Sequence, residues 1–203
     1  MDVFQNIRVL CEKNRMAIPF TDEDIVTAEK IADCSDDSCK IDLIFLLGEH
    51  IEDWSYEILK KLSKDSNEIV CIHAIKKISY FLRTQDFWTL YENFADGSQF
   101  VIAAAIAALD YIGVTKEIDA EIRIQRLLKI KEQIPDSFVY VHLVINTKLF
   151  LDTEEEMYLE NICRHVHDPD EDVKWQAQDS LDEIIANLEN EEAVVQNIKR
   201  LRC

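Results

Sequence analysis

Residues 168–184 read DPDEDVKWQAQDSLDEI, and the same spacing of apolar residues recurs at residues 65–81 and 96–112. Each copy opens with Asp, places Val five residues later and places Ala four residues after the Val. Ile or Leu follows four residues beyond the Ala, and Phe or Ile follows three residues after that. Spacings of four, four and three put these side chains on one stripe of an α-helix, and Asp is favoured at helix starts. The copies predict three similar helices, each with a small residue at its closest contact.

Two weaker copies extend this array. The copy starts lie 31 and 72 residues apart, and the second interval has room for one more copy, whose stripe is Val139, Leu143, Thr147 and Phe150. One period before the copy at residues 65–81 lie Cys39, Leu43 and Leu47. Each copy follows an amphipathic segment, and these segments lie at residues 22–31, 54–62, 87–94, 118–130 and 154–166. The sequence therefore predicts about five helix pairs.

These pairs resemble the HEAT and HEAT-like family of helical repeats. The similarity is strongest at residues 168–185, where Val173-Lys174 matches the family's Val-Arg pair. The basic residue after Val is absent at Cys71 and Ile102, so the family's ladder of Asp-to-Arg contacts is not expected there. The resemblance implies an all-α, right-handed α-α superhelix (a HEAT-like solenoid) with N- and C-terminal capping helices. A single domain over residues 1–203 would then contain units at residues 21–51, 53–82, 86–113, 117–150 and 153–188, with caps at residues 1–15 and 190–203.

Composition supports an all-helical chain. Only three Gly and three Pro occur in 203 residues, and no Val/Ile/Thr run bounded by turn dipeptides suggests a sheet. No targeting segment is visible, and no apolar stretch approaches the ~18 residues of a membrane span. The six Cys form no Cys-x-x-Cys pair, although Cys34 and Cys39 could pair across a turn. We therefore expect a reduced, cytoplasmic protein.

The net charge of −18 is the second large clue. Fifteen acidic residues lie between Asp152 and Glu192, and only Arg164 and Lys174 oppose them. Such a field repels nucleic-acid phosphates and anionic lipid, and it accelerates encounter with a basic partner. We expect a basic protein partner, such as a nuclease toxin, with no direct nucleic acid and no membrane. A purely solubilising role for the acidic surface stays open.

Motifs for catalysis, cofactors and metals are weak. Asp168, Asp170 and Asp172 imitate the start of a calcium loop, but Val173 stands where Gly is required and Asp179 stands where Glu is required. Cys163, His165 and His167 are metal-type ligands, but residues two apart on a helix do not face one another. Gly-rich phosphate loops and nucleophile signatures are absent. We expect no catalytic residues, no cofactor and no metal.

Candidate partner-binding residues follow from the repeat register. Trp175 aligns with Ile41 and Ile72, which predicts that it packs against a neighbouring unit, whereas Tyr80 and Tyr111 align with charged residues and should be exposed. The HEAT-like resemblance implies that the second helix of each pair lines a concave binding face. The implied partner-binding residues are Asp42, Glu49, His73, Tyr80, Asp110, Tyr111, Asp172, Gln176, Asp179 and Glu183.

Three functions fit this sequence. The favoured hypothesis is a non-catalytic, acidic inhibitor or immunity protein that neutralises a basic, nuclease-type toxin by occluding its active cleft. The alternative is a general HEAT-repeat scaffold or adaptor. The third is a HEAT-like lyase or base-modifying enzyme, which would need an aromatic-floored pocket with Asp110 pointing into a closed cavity.

Overall fold

The fold is all-α, as the sequence predicted. The computed structural model describes residues 3–188 and residue 198, and these contain eleven α-helices, a short 3-10 helix at Ser79–Phe81 and no β-strand. The predicted helix at the C-terminal end lies outside the described residues, apart from Ile198. The α-helices are α1 (Val3–Arg15), α2 (Asp22–Ala32), α3 (Asp37–Leu47), α4 (Asp53–Leu62), α5 (Glu68–Ile78), α6 (Thr84–Phe94), α7 (Gln99–Thr115), α8 (Ala120–Lys131), α9 (Val139–Thr153), α10 (Glu156–Cys163) and α11 (Glu171–Asn187).

The chain divides into two compact units, residues 1–90 and residues 91–203, and the boundary falls within α6. In the first unit α2 packs on α3, α4 packs on α5, and the second helices of these two pairs, α3 and α5, also contact each other. In the second unit α9 is central and contacts α7, α8, α10 and α11. Its high apolar content on all sides suits this position, because a helix surrounded by others must be apolar all round.

The apolar stripe read from the sequence is the core of the described helices. Ala74, Ala105 and Ala177 are fully buried, as the spacing predicted. In the weaker copy on α9 the Ala position is taken by Leu143, and Thr147 stands where the other copies have Ile or Leu. Both residues are buried, and Thr147 donates its hydroxyl to the Leu143 carbonyl at 2.8 Å. This internal hydrogen bond satisfies the hydroxyl, so a polar residue can occupy a core position.

The Asp that opens each copy is not the N-cap, which corrects the expected helix starts. The caps are Asn67, Ser98 and Asp170, each two residues further along the chain. Asp65 instead accepts the backbone N–H of Asn67 at 2.8 Å, and Asp168 accepts that of Asp170 at 3.0 Å. The opening Asp therefore forms a turn with the residue that caps the helix.

An ion pair links the two neighbouring helix pairs of the first unit. Lys40, which follows Cys39 in the first copy, bonds Asp65 of the next turn at 2.8 Å, and both side chains are nearly buried. Asn67 adds a bond to Asp37 at 2.6 Å. Burial alone would raise the pKa of Asp65, but Lys40 and the Asn67 N–H hold it below its usual value.

A buried polar pair lies in the first unit. Tyr56 donates its hydroxyl to Asp86 Oδ1 at 2.7 Å, and the Arg83 guanidinium lies 3.6 Å from the centre of the Tyr56 ring. Asp86 is buried, and its Oδ2 has no hydrogen-bond partner in the described structure. Burial raises the pKa of this carboxyl, because the charged form has lost water without full replacement.

Tyr56→Phe should therefore lower the free energy of unfolding by about 1–3 kcal/mol, because Oδ1 of Asp86 would lose its donor and the buried carboxyl would have no hydrogen bond on either oxygen. Chemical denaturation at neutral pH measures this loss. The matched control is Tyr80→Phe, which removes a hydroxyl from an exposed ring in the same unit and should change stability by less than ~0.5 kcal/mol. Equal losses from the two substitutions would contradict the assigned role of the Tyr56 hydroxyl.

Candidate functional site

Trp175 is exposed, which contradicts the packing predicted for it. Its side chain is 58% exposed on α11. The aligned Ile41 and Ile72 are half-buried, and each precedes a further described helix pair. Within residues 3–188 no helix pair follows α11 to cover this position.

Carboxylates surround Trp175 on the same face of α11. Asp172, Asp179 and Asp182 lie three residues before, four after and seven after the Trp, so all fall on one helical stripe. Glu171 lies beside this stripe, and all four acidic residues are exposed. We call Glu171, Asp172, Trp175, Asp179 and Asp182 the Trp175 face.

The start of α11 shows how the chain tolerates this concentration of charge. Asp170 caps the helix and accepts the backbone N–H groups of Asp172 and Val173 at 2.9 and 3.3 Å. Glu171 and Asp172 occupy the first turn, where the positive end of the helix dipole favours anions. Burial, followed by the charges of Asp179 and Asp172, raises the pKa of Tyr140 on α9, so the field reaches the neighbouring helix.

Two of the predicted partner-binding residues, Asp110 and Glu183, meet instead at a nearly buried lysine. Lys148 of α9 contacts Asp110 of α7 at 3.7 Å and makes a shorter ion pair with Glu183 of α11. A second pair, Arg123 with Asp152, lies near Asp110. Burial raises the pKa of Asp110 to about 6 despite Lys148, with further upward contributions from Asp152 and Glu183. These carboxylates meet at Lys148 between α7, α9 and α11, and sequence reasoning missed Lys148 as their partner.

The first unit brings two other predicted residues together. Lys77 Nζ lies 4.6 Å from the centre of the Tyr80 ring and 5.2 Å from that of Phe45, whose ring contacts His73 at 5.5 Å. Burial lowers the pKa of His73, with help from nearby lysines. His73 and Tyr80 therefore belong to one aromatic patch with a lysine across it.

The remaining predicted residues are dispersed. Asp42 and Glu49 are exposed on α3 and its end, and Glu49 accepts a hydrogen bond from Asn14. Tyr111 is exposed on α7, as expected. Gln176 is buried and donates to Ser180 at 3.2 Å, so its selection as a surface residue was wrong. Gln176 lies on the core side of α11, away from the Trp175 face.

The suspected metal ligands have structural roles. Asp168 accepts from His165 Nδ1 at 2.8 Å, and Asp170 is used as the helix cap. Among the described residues no group of three or more His, Cys, Asp or Glu side chains could hold a metal ion. The five described cysteines are free thiols, so Cys34 and Cys39 are not paired. No described helix is long and apolar enough to span a membrane.

A cleft of about 270 Å³ opens in the second unit beside α8, α9 and α10. Its residues come from three helices and the connections beside them, so their spacing along the sequence does not predict a cleft. The lining residues are Lys131, Asp136, Val139, His142, Leu143, Asn146, Asn161 and His165.

Comparisons with known proteins add no family to this description. No protein-family model matches the chain, and no curated protein matches it significantly. The molecule is thus defined by an all-α fold, by the Trp175 face and by the cleft near Lys131.

Proposed function

We propose that this chain is a non-catalytic protein-binding module whose Trp175 face recognises a basic segment of another protein. The observation that carries the proposal is a 58% exposed Trp within a stripe of exposed carboxylates. Tryptophan is enriched among residues that dominate binding energy, and its ring attracts Lys and Arg cations. Carboxylates on both sides of the ring would add charge-assisted hydrogen bonds to the same cations.

The most concrete form of this proposal is an inhibitor or immunity protein. A nuclease-type toxin needs a basic cleft for its substrate, and the Trp175 face would occupy that cleft in place of phosphates. The net charge of −18 would speed encounter at low salt. Inhibition would then be steric and electrostatic.

A scaffold or adaptor is the second candidate, favoured by the aromatic patch of Phe45, His73, Lys77 and Tyr80. Lys77 lies over two rings of this patch, and the patch has none of the carboxylates of the Trp175 face. Binding of a partner to this patch would therefore depend weakly on salt concentration. The enzyme hypothesis required Asp110 in a closed cavity. Asp110 contacts Lys148 instead, and the cleft described above is lined by other residues.

We further propose that the helix pairs stack as a HEAT-like, right-handed superhelix. Support comes from contacts within each unit: α3 packs on α5 in the first, and α9 packs on both α7 and α11 in the second. Second helices that neighbour one another in this way are typical of solenoids, in which each pair buries its core against the next.

The test is affinity capture of the purified protein from the lysate of its own organism, at low and at high salt. We expect one basic partner that is retained at low salt and released at high salt. Trp175→Ala should weaken capture at least tenfold, and so should the double reversal Asp179→Lys, Asp182→Lys, because a Trp hot spot and its flanking charges carry most of such an interface.

The matched control is Glu29→Lys, Glu57→Lys, which makes the same charge change at exposed positions of the first unit. This control should retain the partner. Glu183 is avoided because its reversal would disturb Lys148 as well as the surface. Partners that are kept by both double variants regardless of salt would contradict the proposal and favour the adaptor.

A further inference from the structure

Lys131 supplies an unbalanced positive charge at the cleft in the second unit. It ends α8, and burial alone lowers the pKa of its ammonium group. Its Nζ donates to Asn146 Oδ1 at 2.7 Å and lies 5.2 Å from the centre of the Tyr158 ring. Within residues 3–188 it forms an ion pair with no carboxylate. A partly buried cation balanced only by a neutral amide and a ring is costly, and an anion in the cleft would offset that cost.

The other polar groups of the cleft come from different elements. His142 lies on α9, Asn161 lies on α10, and His165 follows α10. His142 Nε2 lies 3.2 Å from the Pro135 carbonyl oxygen, and His165 Nδ1 lies 2.8 Å from Asp168 Oδ2. One nitrogen of each imidazole faces an acceptor and therefore donates its N–H. The second nitrogen accepts a hydrogen bond in the neutral ring, as from the O–H of a monohydrogen phosphate, and donates one in the charged ring.

Asn161 is likewise half engaged. Its Oδ1 accepts from Arg164 Nη1 at 3.3 Å, so the amide N–H groups are what it can offer. Val139 and Leu143 provide apolar wall beside these groups. The cleft thus combines one cation, two imidazoles and amide donors with a small apolar surface, which is the usual composition of a small-ligand site.

We propose that this cleft binds a small phosphate-bearing anion, with Lys131 as its principal cationic contact and His142, His165 and Asn161 around it. Lysine binds phosphate as a point charge and does not need the bidentate geometry that Arg offers to carboxylate and phosphate alike; the lining contains no Arg. A tetrahedral anion also suits groups that come from separate helices.

Size and charge limit the ligand further. A volume of about 270 Å³ corresponds to roughly nine water molecules and falls just below the range of drug-sized pockets. Free phosphate or a small metabolite phosphate fits this volume. Asp136 also lines the cleft and would repel the anion, so we expect weak affinity for phosphate alone and tighter binding by Asp136→Asn.

The test follows the NMR signals of the histidine side chains in the full chain while inorganic phosphate is added. A second titration uses glycerol phosphate, and a third uses chloride as the control for ionic strength. The chain has five His, and His50 and His73 lie in the first unit as internal references. We expect phosphate, but not chloride, to shift the signals of His142 and His165 and to leave His50 and His73 unchanged. Tighter binding of glycerol phosphate would indicate a metabolite as the source of the phosphate group, and equal binding would indicate phosphate itself.

Lys131→Met should weaken the response at least tenfold, because it removes the charge-assisted contact while keeping the length of the side chain. Lys129→Met is the matched control, since it removes an exposed lysine from the same turn of α8 and should leave the response intact. If Lys131→Met does not fold, Asn161→Leu gives an independent test and should also weaken binding. Unchanged His142 and His165 signals at high millimolar phosphate, or equal responses in the Lys131→Met and Lys129→Met variants, would overturn the proposal.

Discussion

Lys148→Met is expected to lower the free energy of unfolding by about 3 kcal/mol at pH 8. Lys148 and Asp110 are each only 12% exposed, so loss of the ammonium group leaves a buried carboxylate without its cation. Breaking a buried ion pair by removing one partner costs about 3–5 kcal/mol. The lower end applies here because Glu183, the second partner, is more exposed and can turn toward water.

Chemical denaturation at pH 8 measures this loss, and Lys174→Met is its control. Lys174 pairs with Glu171 on the surface of α11 at 3.1 Å, and surface pairs contribute less than about 1 kcal/mol. The loss from Lys148→Met should shrink as the pH falls from 8 toward 6, because a protonated Asp110 no longer needs the cation. Equal effects of the two lysine substitutions would show that the network is not buried as described.

Asp110→Asn is expected to raise the free energy of unfolding at pH 8, which is opposite to the effect of Lys148→Met. The pKa of Asp110 rises from 3.8 to about 6 in the folded state, chiefly through burial. A raised carboxyl pKa favours folding at pH values below 3.8, and that contribution is lost as the pH rises through about 6. A shift of this size corresponds to at most ~3 kcal/mol, and asparagine, which cannot ionise, avoids the loss.

The measurement is the difference in free energy of unfolding between the variant and the parent from pH 3.5 to pH 8. It should be near zero at the acidic end, grow between pH 4 and pH 6, and reach about 2–3 kcal/mol above pH 7. Asp96→Asn removes an exposed carboxylate of the same unit and should show no such pH-dependent gain. A destabilising effect of Asp110→Asn at pH 8 would mean that attraction to Lys148 outweighs the cost of burial.

The helices could be predicted because their signal is local. The positions of Ala74, Ala105 and Ala177 repeat with helical spacing, and all three are buried as expected. Cap positions were displaced by two residues, because the opening Asp and the following polar residue are both good cap formers and the sequence does not show which one bonds the first turn.

The sites were harder to predict because they depend on packing between elements. Lys148 looks like an ordinary polar residue within an apolar helix until α7 and α11 bring Asp110 and Glu183 to it. Lys131 and Asn146 are 15 residues apart and meet only when α8 packs on α9. Trp175 is exposed although the aligned Ile41 and Ile72 are half-buried, and alignment of the copies does not predict this difference.

The central claim is that the Trp175 face binds a basic protein. The most direct test measures the association and dissociation rates of the captured partner over a range of salt concentrations. Four proteins are compared: the parent, the Trp175→Ala variant, the double variant Asp179→Lys, Asp182→Lys (the α11 reversal) and the matched control Glu29→Lys, Glu57→Lys. We predict that the association rate of the parent falls steeply with salt, that the α11 reversal flattens this dependence more than the matched control does, and that Trp175→Ala speeds dissociation at least tenfold. Rates for Trp175→Ala and the α11 reversal that match those of the control would contradict the claim and place the binding surface elsewhere.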